Sequence, residues 1–384
     1  MSSRGRPGRG SLRRPDAVPF AERGGRLRGV LDLATGCYPF FLFGGSTSGL
    51  LPVFHLHQSI PAVLESRLAY LADNPYRTVT TDAISRFVLS GVHPGPRTVV
   101  LCFDDGWASL WTVAGPLLRR YGLSAVAFAI PGRVEDATQV RPTFEEAPDQ
   151  ALRADTSLVP FATWPELRQL QHSGLLDVQS HSYSHSAMFS GRDIIGFVTP
   201  GFGNRLLARP LASARRDRRW LGPDDLGAPL YVQRSRLSDA LRWCDDESAR
   251  ERCLEHVAAS GGASFFDRPA WRGELKAAAG NVGGRPETPD ERERAILEEL
   301  RASREVLEAR LGSRVRHVCM PWGIAGRHAS RAFAHAGYQL AFADRLFGRH
   351  AVAAGDNPYS LMRLHERHIF CLPGRGRRFF FTTA

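Results

Sequence analysis

The chain has 384 residues, 43% hydrophobic and 23% charged, with a formal net charge of +11. This balance is that of a soluble globular protein, and the length suits a barrel-type α/β domain. A single lysine, Lys276, excludes a G-x-x-x-x-G-K-[ST] phosphate loop and leaves Schiff-base chemistry only one amine.

The first 29 residues are rich in Arg, Gly, Pro and Ser, a composition that predicts a disordered tail. Eight arginines against Asp16 and Glu22 give residues 1–28 a charge of +6, more than half of the total. The rest of the chain is therefore only mildly basic. Because nearly all its cations are arginine, the basic balance reads as compositional bias rather than as a nucleic-acid surface. No apolar leader marks the tail, and the most apolar stretch, CYPFFLF at 37–43, is too short to span a bilayer. The expected location is cytoplasmic, with peripheral membrane attachment as the alternative. Six scattered cysteines with no C-x-x-C pair predict reduced thiols and no thiolate zinc site.

In chain order, LLPVFHLH (50–57) predicts a buried strand, and 60–74 a helix facing inward through Val63, Leu68 and Leu71. RTVVLCF (97–103) is a second buried strand and 111–122 a helix ended by Gly122. SAVAFAIPG (124–132) is a third strand. Thr163, Pro165 and Glu166 mark the start of a helix that Gly174 closes, and LLDVQSHS (175–182) is strand-like. Residues 187–287 break this rhythm and predict an insertion with helices of its own, one over 237–259. Regular alternation resumes with a helix over 288–312. It is opened by the pair Thr288/Glu291 and buried along Ile296, Leu300, Leu307 and Leu311. Strands follow at 315–321, 339–345 and 359–370, with a helix at 328–338 between the first two. Strands alternating with amphipathic helices predict parallel β/α units. The polar residues of interest follow strands, so in a barrel they converge on one face.

Two adjacent carboxylates, Asp104 and Asp105, end the second strand in LCFDDG. The segment SHSYSH supplies His181 and His185 at i,i+4. Two histidines with one carboxylate make a metal set that leaves coordination positions open. The second carboxylate is then available as a base, and a nearby cation makes adjacent acids tolerable.

RTVVLCFDDG, SHSYSH and VCMPWG resemble the first three motifs of the NodB-homology polysaccharide deacetylases, carbohydrate esterase family four. The likeness runs over roughly 50–186 and 288–366. It implies an incomplete, distorted β/α barrel of the polysaccharide deacetylase type, occupying 30–384 as a single domain with 187–287 inserted. It implies a hydrolase that removes N-acetyl groups from amino sugars of a polysaccharide or glycolipid. There a metal-bound water attacks the amide carbonyl, and the divalent metal is most often zinc. Carried over by position, Asp104 is the general base, while Asp105, His181 and His185 ligate the metal. A backbone N–H near the first motif joins the metal in holding the oxyanion.

Two positions depart from the family pattern. Cys319 stands two residues before Pro321, where the family often has an arginine that orients the base. Arg363 is a candidate to approach from another strand end. The family's late histidine, donor to the leaving amine, corresponds to His365, with His368 as second choice. Strand alternation would put these two on opposite faces. His57 is read as supporting the metal ligands, and Trp107, Trp322 and Pro321 as the sugar-binding surface. Asp344 is read as a loop acid. The alternatives are hydrolysis of another non-peptide C–N bond on the same scaffold, or an inactive glycan-binding barrel.

Overall fold

A computed structural model describes residues 39–47, 49–185, 187–202, 206–211, 220–343 and 351–380. The arginine-rich tail and Asp344 lie outside these residues. Eight parallel strands form the central sheet: β1 (Val53–Leu56), β2 (Thr98–Asp105), β3 (Ala125–Ala129), β4 (Leu176–Ser180), β5 (His317–Cys319), β6 (Leu340–Ala343), β7 (Leu361–Met362) and β8 (Leu364–His365). Their order is β7-β6-β5-β4-β3-β2-β1-β8, with a two-residue strand, Arg77–Thr78, paired to the start of β2. The two ends of this order are one stretch of chain. Met362 pairs with β6, Leu364 pairs with β1, and Arg363 between them donates its N–H to the Ala343 carbonyl at 3.0 Å. The sheet thus returns to its own starting edge, and a barrel results.

Period-two alternation assigns each strand residue to the barrel's inside or outside. Val53, Val100, Cys102, Val126, Phe128, Cys319 and Phe342 pack together in the interior. Phe54, Leu101, Phe103, Ala127, Val178 and Ala341 face outward under the helices. These include α1 (Pro61–Asp73), α2 (Thr81–Ser90), α3 (Gly115–Arg120), α4 (Trp164–His172), α5 (Pro289–Leu311) and α6 (Arg327–His335). Strands buried on both faces read as continuous apolar runs, which is why RTVVLCF carries no polar alternation.

Helix α5 starts at the expected box. Thr288 N–H donates to Glu291 at 2.7 Å, and Glu291 N–H to the Thr288 hydroxyl at 3.2 Å. Gly312 ends it in the left-handed region, with φ of 67°. Its four predicted apolar positions are buried, but so are Glu299 and Ser303. In α1 the reading needs correction. Leu64, not Val63, joins Leu68 and Leu71 in the core, and Val63 is exposed. The 359–370 stretch is not one strand either: after His365 the chain turns into a 3-10 helix over Glu366–Cys371.

Within the insertion, 187–235 and 240–287 make a compact unit of their own. Antiparallel strands Ala187–Phe197 and Pro229–Ser235 form its larger sheet, and Trp243–Asp245 with Gly284–Pro286 its smaller one. The helix expected over 237–259 is confined to Ser248–Ala259, because Trp243–Asp245 is drawn into a strand, and a second helix covers Trp271–Ala279. Phe197, Cys253, Val257, Phe265 and Leu275 form one small core, and Phe189, Val198, Leu221 and Tyr231 another.

Candidate active site

Asp104 continues the inward series of Val100 and Cys102 at the carboxyl end of β2. It is only 2% exposed. Arg363, reaching inward from the break between β7 and β8, grips it with both arms. Nη1 donates to Oδ1 and Nη2 to Oδ2, each at 2.6 Å. The Arg363 guanidinium itself is buried and lies 5.5 Å from the centre of the Phe128 ring. Burial favours a neutral carboxyl at Asp104, but the charge and hydrogen bonds of Arg363 outweigh it and hold the group well below the usual carboxylate range. Cys319 Sγ lies 3.8 Å from Asp104 Oδ2 on the same inner face. The small thiol leaves room for an arginine supplied by a different strand.

Strict alternation would send Asp105 outward. Its backbone instead enters the left-handed region, with φ of 70°, followed by Gly106 at 73°. A non-glycine residue there is strained, and the strain re-aims the carboxylate. Trp107 Nε1–H donates to Asp105 Oδ2 at 3.0 Å. Oδ1 is left facing His181 Nε2 at 3.4 Å and His185 Nε2 at 3.7 Å.

The histidines come from the turn after β4. His181 N–H continues the ladder to the Ala129 carbonyl at 2.9 Å. Its Nδ1 sits 2.9 Å from the Cys319 carbonyl. A carbonyl only accepts, so Nδ1 carries a proton, and Nε2 is the ring nitrogen that faces Asp105. The chain then takes left-handed backbone at Ser182 (φ 60°) and His185 (φ 50°), so the i,i+4 pair shares a strained turn rather than a helix. The two rings lie 4.9 Å apart. Burial and the neighbouring His181 push His185 down to about 3, which keeps it neutral.

These groups fit a divalent cation. One atom each from Asp105, His181 and His185 lies within 4.8 Å of the other two, all three residues are buried, and His185 Nδ1 has no hydrogen-bond partner. Two imidazoles and a carboxylate, with the far nitrogen of one ring held by a carbonyl, are a borderline-metal donor set. Two other groupings, His55/His57/Asp104 and Asp104/His181/Cys319, draw on Asp104, whose oxygens Arg363 already occupies.

His57 is half-exposed, with Nε2 4.0 Å from Asp104 Oδ2. His55, which sequence reasoning did not single out, joins it in a row of edge-on rings. His55 is 5.5 Å from His57 and 5.4 Å from His365. The pairing of His55 with His365 across β1 and β8 explains the row. His365 Nδ1 lies 2.6 Å from Glu366, which Arg67 approaches at 3.5 Å. His368 is elsewhere. It is buried in the 3-10 turn, stacks on Phe380 at 5.2 Å, and is pushed down to about 4 by burial. Among the sugar-binding candidates, Trp107 stacks on Phe161 at 4.9 Å while bonding to Asp105. Trp322, 38% exposed, sets its ring 4.2 Å from that of His185 and has φ of 54°. Pro321 is buried at the start of that turn.

Residues 91–199 match the polysaccharide deacetylase family, a stretch holding Asp104, Asp105, His181 and His185. The resemblance read from the motifs is thereby shown over that span. The chain is 27% identical over 146 residues to poly-beta-1,6-N-acetyl-D-glucosamine N-deacetylase of Escherichia coli K12. The match covers 38% of this chain and 20% of that relative's length. Among solved structures, IcaB from Ammonifex degensii aligns over 83% of this chain and 92% of its own, at 16% identity and a TM-score of 0.46. The BpsB deacetylase domain from Bordetella bronchiseptica aligns over 83% and 96%, at 19% identity and a TM-score of 0.44.

Proposed function

We propose that this protein is a metal-dependent N-deacetylase that releases acetate from N-acetylated amino sugars of a glycan, with β-linked N-acetylglucosamine polymers as the first substrate to test. The observation that carries this reading is the division of labour between the adjacent acids. Arg363 holds both oxygens of Asp104, and Asp105 faces two neutralisable imidazoles. Asp105, His181 and His185 would hold the cation, zinc by donor type. When bound, the cation supplies Lewis-acid activation of water and of the amide carbonyl.

The chain's own groups account for the protons. Asp104, kept ionised by Arg363, takes the proton of the attacking water as its oxygen bonds to the carbonyl carbon. The C–N bond then breaks, and the departing nitrogen takes a proton from an imidazole. His365, oriented by Glu366, is the assigned donor. His57 is a second reading favoured by its approach to Asp104. Acetate and a free amine leave. Trp107 and Trp322 flank the ligands and would offer ring faces to a sugar.

Acetate release from N-acetylglucosamine oligomers by the purified protein tests this. Asp104→Asn is expected to lower kcat by about 10²–10⁴-fold, the usual worth of a positioned base. Equal rates in wild type and Asp104→Asn would refute the assignment. Comparing His365→Ala with His57→Ala identifies the donor, since its loss lowers kcat more than loss of the other.

A further inference from the structure

The turn that carries both histidines is strained, and within it His185 N–H donates to the Ser182 hydroxyl at 3.1 Å. Left-handed backbone at Ser182 and His185 persists only if neighbours impose it. Two neighbours do so, from opposite sides in sequence. Helix α5 contributes Glu299, 5% exposed, on a buried stripe shared with Ile296, Leu300, Ser303 and Leu307. Its Oε1 accepts the Ser184 N–H at 2.6 Å and the Ser184 hydroxyl at 2.7 Å. From the segment after β3, Gly132 N–H donates to the Tyr183 carbonyl at 2.9 Å. A Cβ on residue 132 would sit 2.6 Å from that oxygen, so only glycine allows the approach.

We infer that Glu299 and Gly132 are positioning residues that clamp the 181–185 turn and set the separation of the two imidazole ligands. The inference rests on reading Asp105, His181 and His185 as the metal ligands. A buried carboxylate in an apolar helix stripe is costly unless its bonds compensate, and here those bonds fall on the residue preceding a ligand. A clamp of this kind acts through metal affinity: it spares the cation the work of ordering the turn.

The test is Zn²⁺ affinity of the full chain, measured by competition with a chromophoric chelator, beside the melting temperature of the metal-free protein. Glu299→Met, which keeps the bulk but no acceptor, is expected to weaken Zn²⁺ binding by about 10–100-fold, the usual cost of losing such support. Glu299→Gln, which keeps an acceptor oxygen, is expected to restore affinity to within about threefold of wild type. Gly132→Ala is expected to weaken binding while Glu299 is intact. If Glu299→Met does not fold, Gly132→Ala decides alone. Wild-type Zn²⁺ affinity in the folded variants would overturn the clamp. Asp105→Asn separates the two layers. If it too binds as wild type, the ligand assignment has failed. If it alone loses binding, only the clamp has failed.

Discussion

At the scale of single residues, the two-armed grip of Arg363 orients Asp104, the proposed base. Asp104 is buried, and its cation comes from Arg363 rather than from the position of Cys319. Removing Arg363 would leave an unpaired carboxylate in the barrel interior, a change worth about 3–5 kcal/mol of stability when one partner of a buried pair is lost. Arg363→Ala is therefore expected to lower both the melting temperature and acetate release. Arg363→Lys restores charge without the two-armed grip and is expected to recover stability more than kcat. Retained activity in Arg363→Ala would remove Arg363 from the site. Asp104, Asp105, His181 and His185 stood out in the sequence as candidates because they lie at or just after the carboxyl ends of strands, and Arg363 as a candidate from another strand. Glu299 was not, although a charged residue on the apolar stripe of α5 is a visible anomaly. The Cys319 carbonyl was also out of reach, since a backbone contact leaves no mark on residue type.

At the scale of elements, strands and helices were read from apolar runs and caps, and their ends from glycine. What could not be read was backbone bending inside short motifs. The turn at Ser182 and His185 and the re-aiming of Asp105 need left-handed residues that sequence statistics assign to glycine. Likewise HERHIF gave no sign that the chain leaves the sheet at His365 and buries His368 in a 3-10 turn. Strand β5 supports a pH prediction. His317 is 1% exposed, its Nδ1 has no hydrogen-bond partner, and burial lowers it from 6.5 to about 3. The unfolded chain takes up this proton as pH falls below 6.5, whereas the folded chain refuses it until about 3. Stability contributed by the neutral ring is therefore complete above that upper value and lost progressively as pH falls. Melting curves between pH 7.5 and 4 are expected to show a shallower acid decline for His317→Leu than for wild type. Parallel declines would mean that other groups govern it.

At the scale of the whole barrel, closure and the grip on Asp104 share one residue. The chain passes from β7 to β8 at Arg363, so the break that lets the last strand pair with both β6 and β1 also points the guanidinium at Asp104. The alternation of strands and amphipathic helices made the barrel class legible. The closing step did not register, because two-residue strands carry almost no pattern. Among the described residues, no helix is long and apolar enough to cross a membrane. A cation bound to the folded site and not to the unfolded chain stabilises by mass action, about 2.7 kcal/mol at a hundredfold excess over Kd. Zn²⁺ is thus expected to raise the melting temperature of wild type and to leave that of Asp105→Asn unchanged.

The central claim, that a cation held by Asp105, His181 and His185 works beside Asp104 on an N-acetyl group, meets its most direct test in one reconstitution. Wild type and His185→Ala are stripped with a chelator, returned to stoichiometric Zn²⁺, and assayed for bound metal and for acetate released from N-acetylglucosamine oligomers. The account predicts that stripped wild type is inactive, that it regains one Zn²⁺ per chain together with its activity, and that His185→Ala regains neither. Acetate release that survives complete removal of metal, or that returns equally in both proteins, would contradict it.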